Sequence, residues 1–285
     1  MSAKKKQPVT ASKRVNPLQI RKVSKLEPAL HVFGSRVVCT TDSRGHSRPG
    51  GAAPAELVLD ASEGFIPLWA KDTTLRWRFQ ERSFRFVESP GSVKSAIQDL
   101  FAESLLAWGD ATPVKFVKQD DVWDFQIVMR RFDDCDDNGC VLASAFFPDG
   151  GRHELVIYPK MFELDRQEQV DTLTQEIGHI FGLRHFFANV SETAWPSQIF
   201  GTHSHFSIMN YGKDSKLTSE DKSDLKRLYQ MVWGGDLTEI NGTPIRLVQP
   251  YHTIGLPVGS IAPLPQGTPI AAQQQPIIAY TYSRI

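Results

Sequence analysis

Five residues between positions 175 and 185 have types and spacings that could act on a metal ion: Gln175, Glu176, His179, Gly182 and His185. On a helix, positions 175 and 179 share one face about one turn apart, so both side chains can hold the same ion. Glu176 lies one step round the helix and can act as a base toward water bound to that ion. Gly182 lets the backbone turn sharply, so His185 can return toward the ion as a third ligand.

This segment, Gln175-Glu176-x-x-His179-x-x-Gly182-x-x-His185, resembles the metzincin zinc signature H-E-x-x-H-x-x-G-x-x-H with one departure. A second motif, Ser207-Ile-Met209-Asn-Tyr211, resembles the metzincin Met-turn, the methionine-bearing loop beneath the metal. Over about residues 65–235 the chain is therefore similar to matrixin and astacin-like catalytic domains. The resemblance implies an α/β (α+β zincin) fold: a twisted, mostly parallel sheet with two long helices, a Met-turn and a C-terminal helix.

The resemblance also implies a role for each matching residue in a zinc endopeptidase. Glu176 would be the general base and acid, and Tyr211 would assist it or serve as an additional ligand, as in astacins and serralysins. The Zn²⁺ ligands would be His179, His185 and, provisionally, Gln175, while Gly182 and Met209 would support the site.

The departure is Gln175, which stands where the family has its first zinc-binding histidine. A glutamine amide oxygen has adequate reach, but it is a weaker donor to Zn²⁺ than imidazole, thiolate or carboxylate. Two outcomes stay open: a working zinc site with an unusual ligand, or a catalytically impaired pseudoprotease that binds peptides or proteins.

Weaker signals concern calcium and the cysteines. Asp134-x-Asp136-x-Asn138-Gly139 matches the opening of an EF-hand loop, but Ala145 stands at its twelfth position. This favours a solvated acidic turn over a structural Ca²⁺ site. Cys39 has only a faint likeness to the zinc-blocking cysteine of matrixin prosegments. We expect reduced thiols, with a Cys135–Cys140 bridge as the alternative in an oxidising compartment.

Apolar periodicity predicts the elements that must position these residues. Alternation of Leu75, Trp77 and Phe79 with arginines predicts a strand, and a helix should follow from Ser92, its cap, to Gly109. Short apolar runs at 114–117, 124–129, 141–147 and 154–159 predict further strands, and 141–147 resembles the edge strand on which metzincins lay an extended substrate. Two more helices are predicted, one from about Gln167 and one over about 218–232 with a Thr218–Asp221 capping box.

Composition bounds the organisation of the chain. Its 285 residues carry 32 basic and 32 acidic side chains, yet residues 1–26 hold eight basic residues and no acid. We therefore predict a basic, low-order leader at 1–64, a metzincin-like domain at 65–235, and a Pro/Gln-rich, disordered tail at 236–285. The acidic body excludes nucleic acid as the expected partner. No apolar run is long enough for a membrane span.

The sequence thus predicts a zinc-dependent metalloendopeptidase that hydrolyses internal peptide bonds of proteins. Its expected partner is a protein or peptide in extended conformation, and we expect a monomer. Because a basic start without an apolar stretch is not a standard signal peptide, the expectation is a cytoplasmic protein or export by another route. The competing class is the non-catalytic peptide-binding module, and metal occupancy at 175/179/185 separates the two.

Overall fold

The computed structural model describes residues 37–38, 57–61, 64–136, 139–185, 197–200, 207–209 and 215–254. Three α-helices lie in these ranges: α1 (Pro90–Trp108), α2 (Arg166–Ile180) and α3 (Ser219–Gly234). The strands are β1 (Val37–Val38), β2 (Leu57–Asp60), β3 (Ile66–Trp69), β4 (Thr74–Phe79), β5 (Lys115–Lys118), β6 (Phe125–Met129), β7 (Asp134–Asp136), β8 (Gly139–Val141), β9 (Ala143–Ser144), β10 (His153–Ile157), β11 (Leu183–Arg184), β12 (Ser197–Phe200), β13 (Glu239–Ile240) and β14 (Thr243–Val248). None of the described helices is long and apolar enough to cross a membrane.

The largest sheet has five strands in the order β5-β4-β6-β10-β9. Neighbouring strands from β5 to β10 run parallel, and β9 pairs antiparallel with β10 at the edge. A mixed α/β fold with a mostly parallel, twisted sheet was the prediction, and this arrangement is compatible with it. Three smaller sheets in the described part of the chain have three strands each, in the orders β1-β8-β7, β11-β2-β12 and β13-β14-β3.

Helix α1 covers one face of the large sheet with apolar residues at 3–4 spacing, among them Val93, Ile97 and Phe101, all buried. The Phe101 ring meets the Trp77 ring of β4 edge-on at 5.5 Å. The helix ends at Gly109 as predicted, but it begins two residues earlier than the predicted cap, Ser92. Pro90 occupies the first turn, where a missing N–H costs nothing.

Ordered structure extends beyond both predicted boundaries of the domain at 65 and 235. Strand β2, inside the predicted leader, pairs with β11 and β12. Strand β14, inside the predicted tail, pairs with β13 and runs parallel to β3. The pairings of β2 and the parallel pairing of β14 with β3 join residues far apart in the chain, so local patterning does not reveal them. Residues 255–285, most of the predicted tail, lie outside the described ranges.

The predicted single strand at 141–147 is two short strands. The first, β8, pairs with β7 in a hairpin and with Val37–Val38 of β1 on its other side, whereas β9 remains at the edge of the large sheet. A disulfide joins Cys135 to Cys140 across the hairpin, so the expectation of reduced thiols was wrong for this pair and the alternative is correct. Cys39 lies outside the described residues.

Candidate metal centre

Helix α2 presents the candidate ligands, and its start is well defined. Asp165 caps the first turn by accepting hydrogen bonds from the backbone N–H groups of Gln167 and Glu168, and the Glu168 side chain accepts the Asp165 N–H in return. Farther along, the Thr174 carbonyl accepts a hydrogen bond from Trp108 Nε1 at 3.0 Å, which fastens α2 to α1. The second half of the helix is buried on both its apolar and its polar positions.

Immediately after α2 the chain reverses at Gly182. Its φ of 94° lies in the region that side chains rarely adopt, and a Cβ there would approach Leu68 Cδ2 to 3.1 Å and the Pro67 carbonyl to 3.3 Å. The Gly182 N–H donates to the His179 carbonyl at 2.9 Å, closing the turn. Beyond it, β11 pairs with β2 and leads directly to His185.

The turn brings Gln175, His179 and His185 together. The two imidazole rings lie edge to face with centroids 4.7 Å apart, and both residues are fully buried. His179 Nδ1 lies 2.7 Å from the Leu183 carbonyl, which can only accept, so Nδ1 carries the proton. Gln175 Nε2 lies 2.8 Å from His185 Nε2.

Glu176 lies next to Gln175 on α2, on the turn that also carries His179, and is 2% exposed. A carboxylate that is so deeply buried needs hydrogen-bonding partners. Its position on α2, beside the candidate ligands, is suitable for transferring a proton to or from a group bound there. Phe147, three residues beyond β9, packs its ring edge-on against His179 at 5.5 Å. The end of the edge strand therefore lies next to the candidate site.

Met209 packs directly beneath the helix, against Gly178. A Cβ built on Gly178 would lie 2.6 Å from Met209 Sδ, a distance that real side chains do not show. Ser207 holds this loop: its Oγ accepts the Met209 N–H at 3.1 Å and donates to Asp221 Oδ1 at 2.8 Å. Asp221 also accepts the Thr218 N–H, as the predicted capping box of α3 requires.

Sequence reasoning did not single out Gly178, Ser207, Phe147 or this second role of Asp221. For Gly178 a signal was available, because a glycine inside a helix costs about 1 kcal/mol and marks a close approach. Tyr211, the predicted assisting residue, lies outside the described residues.

The donor set fits a zinc ion in part. Two imidazoles are suitable ligands, and Gln175 could offer its amide oxygen if the amide turned over. Within the described ranges no three His, Cys, Asp or Glu side chains gather closely enough to hold a metal. In the loop weighed as a calcium site, Asp136 Oδ1 accepts the Gly139 N–H at 3.1 Å and Asn138 lies outside the described residues, so the preference for a solvated acidic turn over a Ca²⁺ site stays a prediction.

Comparison with known proteins gives a partial match. No family model matches the chain. Human stromelysin-3, a matrixin, is 30% identical over 122 residues, which cover 39% of this chain and 25% of that protein. The chain thus spans about a quarter of this relative's length, and the match supports a metzincin-like fold. The structure of myroilysin aligns with 60% of this chain and 98% of its own at 12% identity, with a TM-score of 0.40, too low to constrain the fold.

Proposed function

We propose that this protein is a zinc-dependent metalloendopeptidase that hydrolyses internal peptide bonds of proteins. The observation that carries the proposal is the convergence of His179, His185 and Gln175 at the end of α2, with Glu176 on the same helix turn. The match to stromelysin-3 supports the same activity at the level of the family.

In this proposal His179, His185 and Gln175 hold the zinc ion. The ion would supply Lewis-acid polarisation of the scissile carbonyl and a lowered pKa for a water molecule. The Leu183 carbonyl holds the His179 ring in one tautomer, so the ring need not reorganise before binding. Met209, seated against Gly178, and the turn at Gly182 fix the floor and the end of the site. Tyr211 would assist from the loop after Met209.

Glu176 would transfer protons. As general base it would take a proton from the attacking water, and as general acid it would later give that proton to the leaving amine nitrogen. Its burial keeps bulk water from competing for that proton. Such a residue typically contributes a factor of about 10²–10⁴ in rate.

The substrate would bind in extended conformation along β9. This strand has β10 on one side and forms the edge of the large sheet on the other, so a peptide can add there by backbone hydrogen bonds. Phe147 connects that edge to the His179 ring, which would bring the scissile bond to the ligands.

A second candidate function, a pseudoprotease that binds peptides without cleaving them, is favoured by one contact. Gln175 Nε2 and His185 Nε2 lie 2.8 Å apart, a hydrogen-bond distance. A glutamine oxygen and a histidine nitrogen bound to one tetrahedral zinc ion would be about 3.3 Å apart, given zinc–ligand distances of about 2.0–2.1 Å. In the pseudoprotease this amide–imidazole bond replaces the metal.

The two functions are separated by measuring zinc content by elemental analysis together with casein cleavage, for the wild type, Glu176→Ala and Gln175→His. The peptidase predicts about one zinc per chain and loss of cleavage in Glu176→Ala. Gln175→His should tighten zinc binding by about 10²–10³-fold, because an imidazole replaces an amide oxygen. Gln167→His, exposed on the first turn of the same helix, is the matched control and should change nothing.

A chain without zinc and without cleavage, even after zinc is added, would exclude the peptidase. If Gln175→His then gains both zinc and cleavage, the single glutamine accounts for the loss and the peptide-binding function stands. Zinc bound equally by the wild type and by a His179→Ala variant would show that the metal is held elsewhere.

A further inference from the structure

A second concave site lies beyond β4, at its C-terminal end. It is an open cavity of about 540 Å³ whose lining includes Arg78, Arg82, Arg85 and Gln126, with the acidic Glu81 and Asp120 also contributing. The sequence analysis gave these residues no role. We call it the arginine cavity.

The arginine cavity and the candidate metal centre are on opposite faces of the large sheet. Trp77 of β4 packs toward α1, where it meets Phe101, and side chains alternate along a strand, so Arg78 points the other way. Helix α2 lies on the α1 side, as the hydrogen bond from Trp108 to Thr174 shows. A ligand in the cavity would not enter the metal centre.

Arg78 is held in place without a carboxylate. Its Nη1 donates to the Asp120 backbone carbonyl at 2.8 Å, and its guanidinium stacks on the Trp123 ring at 4.9 Å. The Gln126 amide is oriented with its oxygen toward Arg78, because the guanidinium can only donate. In this orientation the Gln126 oxygen accepts hydrogen bonds from Arg78 Nε at 2.8 Å and from Arg78 Nη2 at 2.9 Å. These three bonds use three of the five N–H groups of a guanidinium and leave two for a ligand.

The charges around the cavity are unbalanced. Among the described residues, none of Arg78, Arg82 and Arg85 has a carboxylate within ion-pair distance. Glu81 is engaged by Lys94 at 2.9 Å. A fixed arginine with unused donors, beside two more arginines, is an arrangement that selects planar oxyanions, because a guanidinium forks onto a carboxylate.

We propose that the arginine cavity binds carboxylate side chains of an acidic peptide segment. Glu81 and Asp120 at the cavity repel a dianion such as phosphate more than a single carboxylate. The volume exceeds what one free anion fills and has room for several side chains of a peptide. If the protein is the peptidase proposed above, the arginine cavity selects protein substrates that carry an acidic stretch away from the cleaved bond. This last step rests on the proposed function.

The test is direct binding of a fluorescein-labelled glutamate-rich peptide, followed by anisotropy at low salt on the full chain carrying Glu176→Ala. The measurement reports binding and needs no cleavage, so it gives the same answer whether or not the protein is a peptidase. The Glu176→Ala variant ensures that the peptide is not cut during the measurement if it is. Arg78→Gln should weaken binding at least about tenfold, since a hydrogen-bonded charge is lost. Arg82→Gln with Arg85→Gln, both exposed, should weaken it about three- to tenfold.

Arg227→Gln, an exposed arginine on α3, removes the same charge elsewhere and should leave the affinity unchanged. The glutamine counterpart of the peptide should not bind. Equal affinity for the two peptides, or unchanged affinity in both arginine variants with thermal melts like the parent's, would overturn the proposal. Displacement of the peptide by inorganic phosphate at equal concentration would show a general anion site and would also overturn it.

Discussion

Two segments of the molecule, the Met209 loop and residues 250–254, are each held by a buried aspartate, and the two aspartates have different hydrogen-bond partners. The Met209 loop is held through Ser207 by Asp221, a carboxylate that accepts hydrogen bonds from the neutral Ser207 hydroxyl and from the Thr218 N–H. The segment at 250–254 is held by Asp124, which accepts His252 Nδ1 at 2.9 Å and the His252 N–H at 2.9 Å. Asp221 therefore fixes a loop of the candidate site, whereas Asp124 fixes the last described segment of the chain.

The difference shows how stability and site geometry can be separated in this fold. Asp124 also accepts the Arg76 N–H at 2.7 Å, so it joins β4 to the segment at 250–254 through a charge that is 2% exposed. Asp221 instead caps the first turn of α3 together with Thr218, and through Ser207 it holds the Met209 N–H. We therefore expect loss of the first anchor to act on global stability, and loss of the second to act on the metal centre.

The largest effect should come from Asp124→Ala. Removing one partner of a buried, hydrogen-bonded pair leaves His252 and two backbone N–H groups unsatisfied, at a cost of about 3 kcal/mol of unfolding free energy at pH 7. The measurement is urea denaturation, and zinc content of the folded variant should match that of the wild type. Asp121→Ala, an exposed neighbour, is the control and should stay within about 0.5 kcal/mol.

The Asp124 contribution should also depend on pH. Burial raises the pKa of Asp124, but the hydrogen bonds from His252 and from the Arg76 and His252 N–H groups outweigh it and hold the pKa below its ordinary value. A lowered folded pKa means that this stability is present above the unfolded pKa of about 3.9 and is lost as pH falls through the folded value. The difference in unfolding free energy between wild type and Asp124→Ala should narrow at pH 3; a constant difference would contradict a lowered pKa of Asp124.

Next in size is Gly178→Ala, on the site side of the comparison. The added methyl meets Met209 Sδ at 2.6 Å, so either the methionine or the helix must shift. Gly91→Ala, in the first turn of α1 with open space around it, is the matched control. Relative to that control, Gly178→Ala should be less stable by about 1–3 kcal/mol in thermal or urea unfolding. Equal stability of the two variants would mean that Met209 does not pack against α2.

How far the sequence predicts this fold depends on the distance between interacting residues. The capping box of α3 and the end of α1 at Gly109 are local signals, and both predictions are confirmed. The pairing of β14 with β3 could not be predicted because β3 lies about 180 residues earlier, and the strand itself was missed because its alternation is interrupted by exposed apolar positions such as Leu247.

The candidate site divides in the same way. The i, i+4 spacing on α2 and the glycine after it are readable as a pattern, and these residues lie together in the structure. The contact between Gln175 and His185 is not readable, because the direction of an amide depends on what surrounds it in three dimensions. The same holds for the arginine cavity, where Arg78 and Gln126 meet only through the pairing of β4 with β6.

The smallest effect, and the one that sharpens the comparison most, is Ser207→Ala. The change removes a donor to Asp221 and the acceptor of the Met209 N–H, yet Asp221 keeps the Thr218 N–H, so the cost should be only about 1 kcal/mol. Ser223→Ala, exposed on α3, is the control. Unlike Asp124→Ala, this variant should weaken zinc binding, measured by competition with a chelating dye, because Met209 is freed beneath Gly178. If Ser207→Ala lost stability but bound zinc as the wild type does, Asp221 would be an anchor of the fold alone, no different in role from Asp124.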